Sequence, residues 1–128
     1  MLYEMRVYDA REGKLPALND RFANHTTGFF KDHGIGIVGF WTAEIGTSNQ
    51  LTYMLSFDSM ADREEKWAAF GADPRWQEVR AETEKDGPFV DSVQNSFLRL
   101  TPYSPEPHMT TAIQEMRVYT AMPGKFPA

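Results

Sequence analysis

No cysteine occurs anywhere in the 128 residues. That excludes a disulfide framework, a thiolate nucleophile and any cysteine-ligated zinc or iron–sulfur centre. Histidine is nearly as scarce. His25, His33 and His108 are the whole supply, no two are spaced to ligate one metal from a single element, and no HExxH pattern is present. No metal site is expected. Positive charge is also short, with 13 Lys and Arg against 18 Asp and Glu for a net charge of −5. A nucleic-acid groove needs clustered cations to displace counterions from phosphates, so neither nucleic acid nor an anionic membrane surface is expected as a partner. No run approaches the roughly 18 uninterrupted apolar residues of a membrane span. The opening MLYEMRVYDAREG is not a basic segment followed by an apolar one. A cytoplasmic location is the expectation from these absences. There is no Ser-His-Asp arrangement, no Gly-x-Ser-x-Gly elbow and no phosphate-cradling loop. Gly34, Gly36 and Gly39 lead into a strand instead of opening a helix. No cofactor is expected.

What is present suffices for one packed domain, with 41% hydrophobic and 13% aromatic residues. The clearest stretch is 34–58, GIGIVGFWTAEIGTSNQLTYMLSFD. Ile35, Ile37, Val38, Phe40 and Trp41 suit a pleated surface, and Leu51, Tyr53, Leu55 and Phe57 alternate strictly after a turn holding Gly46, Ser48 and Asn49. This predicts a hairpin. Ahead of it, residues 2–8 alternate, with Tyr3, Met5 and Val7 on an oily face and Glu4, Arg6 and Tyr8 on a polar one. Leu15, Leu18, Phe22, His25 and Phe29 then recur at helical spacing, closed by His33 and Gly34. After the hairpin, Asp58 and Ser59 offer the cap of a second helix with Met60, Trp67 and Phe70 as its buried residues. Asp73 and Pro74 start a third, carrying Trp76, Val79 and Thr83 inward. The charged run 62–66 reads as its predecessor's solvated face. Residues 89–100 make a fourth strand.

The order strand, helix, strand, strand, helix, strand is the split βαβ pattern of an α+β, ferredoxin-like fold with a four-stranded antiparallel sheet. Helices cover one face of such a sheet and leave the other open. An open face of mixed polar and aromatic residues suits a sheet that meets its symmetry copy, so a homodimer is expected.

Near the end, EMRVYTAMPGKFPA at 115–128 repeats EMRVYDAREGKLPA at 4–17, with 10 identities in 14 positions. Such density marks a duplication. The expected division is a domain over 1–103, a proline-bearing linker over 104–112 and the start of a second, truncated repeat over 113–128. Two fates are open to that start. Either the chain is a truncated product of a tandem protein, or residues 113–119 add as a strand to a sheet edge.

The segments YEMRVYDAREGKLPAL, GFWTAEIGTSNQLTYMLSFDSMADRE and ADPRWQE together resemble the NIPSNAP family of the dimeric α+β barrel superfamily. The resemblance spans residues 2 to about 103. It implies a homodimer whose two sheets close a barrel, in a family without an agreed enzymatic activity and with some two-repeat members. Animal members are associated with mitochondria and vesicle traffic. The chain has no Arg-rich amphipathic leader, so that biology is not expected to carry over.

Within such a barrel, Glu4, Arg6 and Tyr8 would point into the space between the sheets, where Arg6 pairs with Glu4 or holds an anionic ligand. The alternative is an ion pair that merely orders the dimer interface. Trp41, Glu44, Asn49, Gln50 and Tyr53 cluster around the hairpin turn and are expected to rim a pocket, with Glu44 as acid or base. Local turn chemistry at Asn49 explains them equally well. His25, on the apolar helical face, is a candidate general base, against the alternative of a hydrogen-bonded core histidine. Three functions follow. The first is a homodimeric barrel binding a small apolar or aromatic molecule. The second, implied by the superfamily, is a cofactor-independent monooxygenase or isomerase, and the third a structural or interaction module without a ligand.

Overall fold

The computed structural model describes residues 1–125. Its four strands are β1 (Leu2–Ala10), β2 (Gly36–Trp41), β3 (Gln50–Phe57) and β4 (Val90–Leu98). They form one antiparallel sheet in the order β2-β3-β1-β4. Helical segments α1 (Leu15–Arg21), α2 (Thr27–Asp32), α3 (Met60–Ala72) and α4 (Pro74–Thr83) lie on one side. This is the ferredoxin-like α+β fold that the alternating pattern predicts.

Local chemistry explains the helix ends. Ser59 Oγ accepts the Asp62 N–H at 3.1 Å and Asp62 returns a carboxylate oxygen to the Asp58 N–H at 2.9 Å, a reciprocal cap on α3. Asp73 accepts the Arg75 N–H at 2.9 Å, with Pro74 opening α4. After α2 the chain turns at Gly34, whose φ of 71° is costly for any residue with a Cβ, and the Ile35 N–H returns to the Phe30 carbonyl.

The core is aromatic. Phe22, Phe30 and Phe70 from the helical layer meet Tyr53, Leu55 and Phe57 of β3. Phe40 stacks on Tyr53 at 5.1 Å and Trp76 on Phe70 at 4.9 Å between ring centroids. Two packing expectations change. Met60, the first residue of α3, is 44% exposed. The helical face that was to bury His25 does not, because residues Phe22–Thr26 wind as a π-helical turn. There the Thr27 N–H reaches back to the Phe22 carbonyl and Thr26 Oγ1 to the Arg21 carbonyl. One extra residue per turn rotates the following side chains by about 100°. Phe22, Thr26 and Phe30 therefore point inward, and His25 faces solvent.

Residues 99–125 carry no helix or strand. Part of this segment lies over the face opposite the helices. Gln114 accepts from the Trp41 indole at 2.9 Å, Met109 approaches Gly39, and Glu106 sits by the buried Tyr3 phenol. Burial, and then that carboxylate, push Tyr3 above the ordinary phenol value. Residues 113–119 do not pair with a sheet edge, so of the two fates the edge-strand one is not adopted. The last three positions of the repeat, 126–128, lie outside the described residues.

Candidate functional site

Pairing register decides which side of β1 is buried. Arg6 stands opposite Tyr53, Glu4 opposite Leu55 and Tyr8 opposite Leu51. In an antiparallel pair, opposed residues share a face. The polar triplet therefore faces the helices along with the core side of β3, and Tyr3, Met5 and Val7 take the open face. This reverses the expected placement between two sheets. The physical reason is complete hydrogen bonding: a polar strand face tolerates burial when every charge on it finds a partner.

Those partners converge from three elements. Glu4 has no exposed surface. Its carboxylate accepts from Arg6 Nη1 at 2.9 Å, from Arg63 Nε at 3.2 Å and Nη2 at 3.1 Å, and from Asn95 Nδ2 at 3.1 Å. Arg6, 9% exposed, donates further to Tyr53 at 2.8 Å and to Tyr8 at 3.1 Å, and its guanidinium lies 4.5 Å from the Trp67 ring centre. The two phenol oxygens are 2.6 Å apart. Burial would raise the Glu4 carboxyl, but Arg63, Asn95 and Arg6 outweigh it and hold the group below its ordinary value. Burial likewise pulls Arg6 down and is overcome by the tyrosine oxygens and Glu4, so it stays charged. Tyr53 is pushed well above the ordinary phenol value, chiefly by burial, and remains protonated.

Beside this network the helical cover stops. Val93, Asn95 and Phe97 of β4 pair with Tyr8, Arg6 and Glu4 and so share the helix-facing side. Val93 is nevertheless 45% and Phe97 40% exposed. The result is a shelf floored by Tyr8, Val93, Asn95 and Phe97. Arg63 closes one end, its guanidinium 5.3 Å from the Phe97 ring centre and 5.2 Å from that of Trp67.

The other expected residues do not converge. Tyr53 is buried in the network, whereas Trp41 points to the open face and bonds Gln114. Glu44 is exposed on the hairpin loop. Asn49 and Gln50 line a cavity of about 540 Å³ with Leu15, Asn19, Thr42 and Ser48, which includes neither Trp41 nor Glu44. Asn49 bonds the Ala10 carbonyl at 2.7 Å, pinning the hairpin to β1, and Gln50 bonds Asp9 at 2.7 Å. His25 lines a separate cavity of about 400 Å³ with Arg21, Asn24, Thr83 and Phe89 and touches no part of the Glu4 network. His33 bonds Asp73 at 2.8 Å at the α2–α4 junction. Among the described residues no group of three His, Asp or Glu could hold a metal ion.

Sequence reasoning missed Arg63 and Asn95. Arg63 was legible: it precedes Trp67 by four residues and Phe70 by seven, which places all three on one helical stripe. It belongs to the inward side of a run read as solvated. Asn95 was not legible, because only the pairing with β1 turns it toward Glu4.

A one-sided ferredoxin-like sheet over a buried Glu-Arg-Tyr network defines the molecule as a small α+β domain. The chain belongs to the NIPSNAP family, whose model matches residues 3–105. It is similar to a NIPSNAP family protein of unknown function from Agrobacterium tumefaciens, with 30% identity and a TM-score of 0.73 over 82% of this chain and 92% of that one. An uncharacterised NIPSNAP-like domain protein from Burkholderia xenovorans aligns at 23% identity and a TM-score of 0.74, over 84% and 90% of the two chains. A Nitrosomonas europaea protein provisionally named an antibiotic biosynthesis monooxygenase shares the fold alone, at 8% identity and a TM-score of 0.53 over 77% and 97%. No curated protein matches. Among the described residues no helix is long and apolar enough to cross a membrane.

Proposed function

We propose that this protein binds a small apolar or aromatic molecule on the shelf between β4 and the helical layer, anchored by the Arg6–Tyr8–Tyr53 group. One observation carries the reading. The side of the sheet that is core over β3 becomes half-exposed and apolar at Val93 and Phe97, directly beside a preorganised polar network. Ligand sites combine those two features, an apolar floor and a few fixed polar groups. The same reading has two copies meeting through the faces that carry Met5, Val7 and Met54, as a cytoplasmic homodimer. A second sheet would displace the segment around Met109 and Gln114, which meets that face at Gly39 and Trp41.

The enzymatic alternative loses its support at His25, since a solvated histidine on another cavity cannot serve as base for a molecule on this shelf. Native mass spectrometry of the purified protein tests the binding reading. The expected spectrum shows a dimer carrying small molecules that Phe97→Ala removes and Tyr8→Phe reduces. A ligand-free species from every source, with no binding to a panel of aromatic compounds, would end the proposal.

A further inference from the structure

Hydrogen-bond bookkeeping around the two phenols identifies the ligand class. Tyr53 is fully buried, and among the described residues its oxygen has only two partners, Arg6 Nε and the Tyr8 oxygen. Arg6 can only donate. The Tyr53 proton therefore has one destination, the Tyr8 oxygen at 2.6 Å. The reverse direction would leave a buried O–H without an acceptor, a cost that native interiors avoid. Tyr8 thus accepts twice, from Tyr53 and from Arg6 Nη2, and both its lone pairs are in use. Its own proton has no acceptor among the described residues. Tyr8 is only partly buried and belongs to the floor of the shelf, so that proton is free for an acceptor on whatever occupies it.

We infer that Tyr8 is the hydrogen-bond donor of a binding site for planar compounds bearing a carbonyl or other neutral acceptor oxygen, with Arg6 and Tyr53 as the groups that aim and polarise it. The inference rests on the small-molecule reading above and supplies its chemistry. Donors arranged in series strengthen one another in a low-dielectric setting: Arg6 feeds both phenols, Tyr53 feeds Tyr8, and Tyr8 is left as the outlet. Water satisfies that outlet in an empty site. A flat aromatic body on Val93 and Phe97 excludes this water, so a ligand without an acceptor oxygen loses a hydrogen bond that an oxygenated one keeps. Arg63, already shared between Glu4 and Glu64, is not a free counter-charge, which favours a polarised oxygen over a full anion.

Two probes of matched shape isolate the effect: 2-acetylnaphthalene, and 2-isopropenylnaphthalene, in which a methylene replaces the carbonyl oxygen. Titration by isothermal calorimetry, with tryptophan quenching as a second readout, should show the ketone binding the full-length protein about tenfold more tightly, the scale of one well-made hydrogen bond. Tyr8→Phe should abolish that ratio while it still binds the hydrocarbon. Val93→Ala, which touches the floor and not the donor, should weaken both probes alike and keep the ratio. Equal binding of the two probes by the unsubstituted protein would overturn the assignment of Tyr8 and leave the shelf standing. So would a ratio that survives Tyr8→Phe, or one that Val93→Ala erases. If neither probe binds, the small-molecule reading itself fails and this inference with it.

Discussion

Glu4 is an ionised carboxylate with no exposed surface, sustained by donors that arrive from β1, α3 and β4. Breaking a buried pair from one side strands the other charge, so Glu4→Gln should cost about 3–5 kcal/mol in urea unfolding. A loss under 1 kcal/mol would mean that the arginines find water instead. Because folding holds Glu4 below its ordinary value of 4.5, its share of stability is complete above that pH and is lost as pH falls through the folded value. Glu4→Gln should accordingly flatten the acid limb of a stability–pH curve, an outcome checked by repeating the melt between neutral and acid pH. Tyr53→Phe leaves Arg6 Nε without its acceptor, and a loss of about 1–3 kcal/mol is expected. At this scale the alternation of residues 2–8 was legible in the letters, but its sense was not. An oily face is ordinarily the buried one. Here the decision lies with Arg63 and Asn95, far away in sequence, whose donors make the polar face the better-satisfied interior.

Helices and strands were legible where local chemistry decides them. Ser59, Asp73, Pro74 and Gly34 mark boundaries through caps and a positive φ, and those elements end where these residues stand. The π-helical turn was not legible, because Phe22 followed by both Phe29 and Phe30 satisfies a regular and a widened helix equally well. The hairpin was legible as strands, but its loop residues were not legible as a site. Trp41 and Tyr53 lie on opposite faces of the sheet, a consequence of the β-bulge between Ile37 and Gly39 and of the register after it. The turn makes a sharp prediction. Phe30→Ala should cost about 3–5 kcal/mol, the range for a buried aromatic, whereas His25→Ala should stay within about 0.5 kcal/mol. The opposite order in denaturant titrations would restore a regular helix with His25 inside.

For the whole molecule, the open face is the other half of the design. Met5, Val7 and Met54 stand on it behind a segment that crosses without forming a strand. Homodimer formation through this face predicts a mass near twice 14.6 kDa in light scattering, and Met5→Asp should shift it toward one subunit. A single-subunit mass for the unsubstituted protein at micromolar concentration would contradict the pairing and leave the shelf intact, since the two occupy opposite sides of the sheet. The side used is therefore the claim on which the functional reading turns. Its most direct test is an NMR titration of the labelled protein with 2-acetylnaphthalene, following amide and methyl shifts. Perturbations centred on Tyr8, Val93, Asn95 and Phe97 are predicted, whereas a map centred on Met5, Val7 and Met54, or on His25 and Arg21, would contradict the site proposed for this fold.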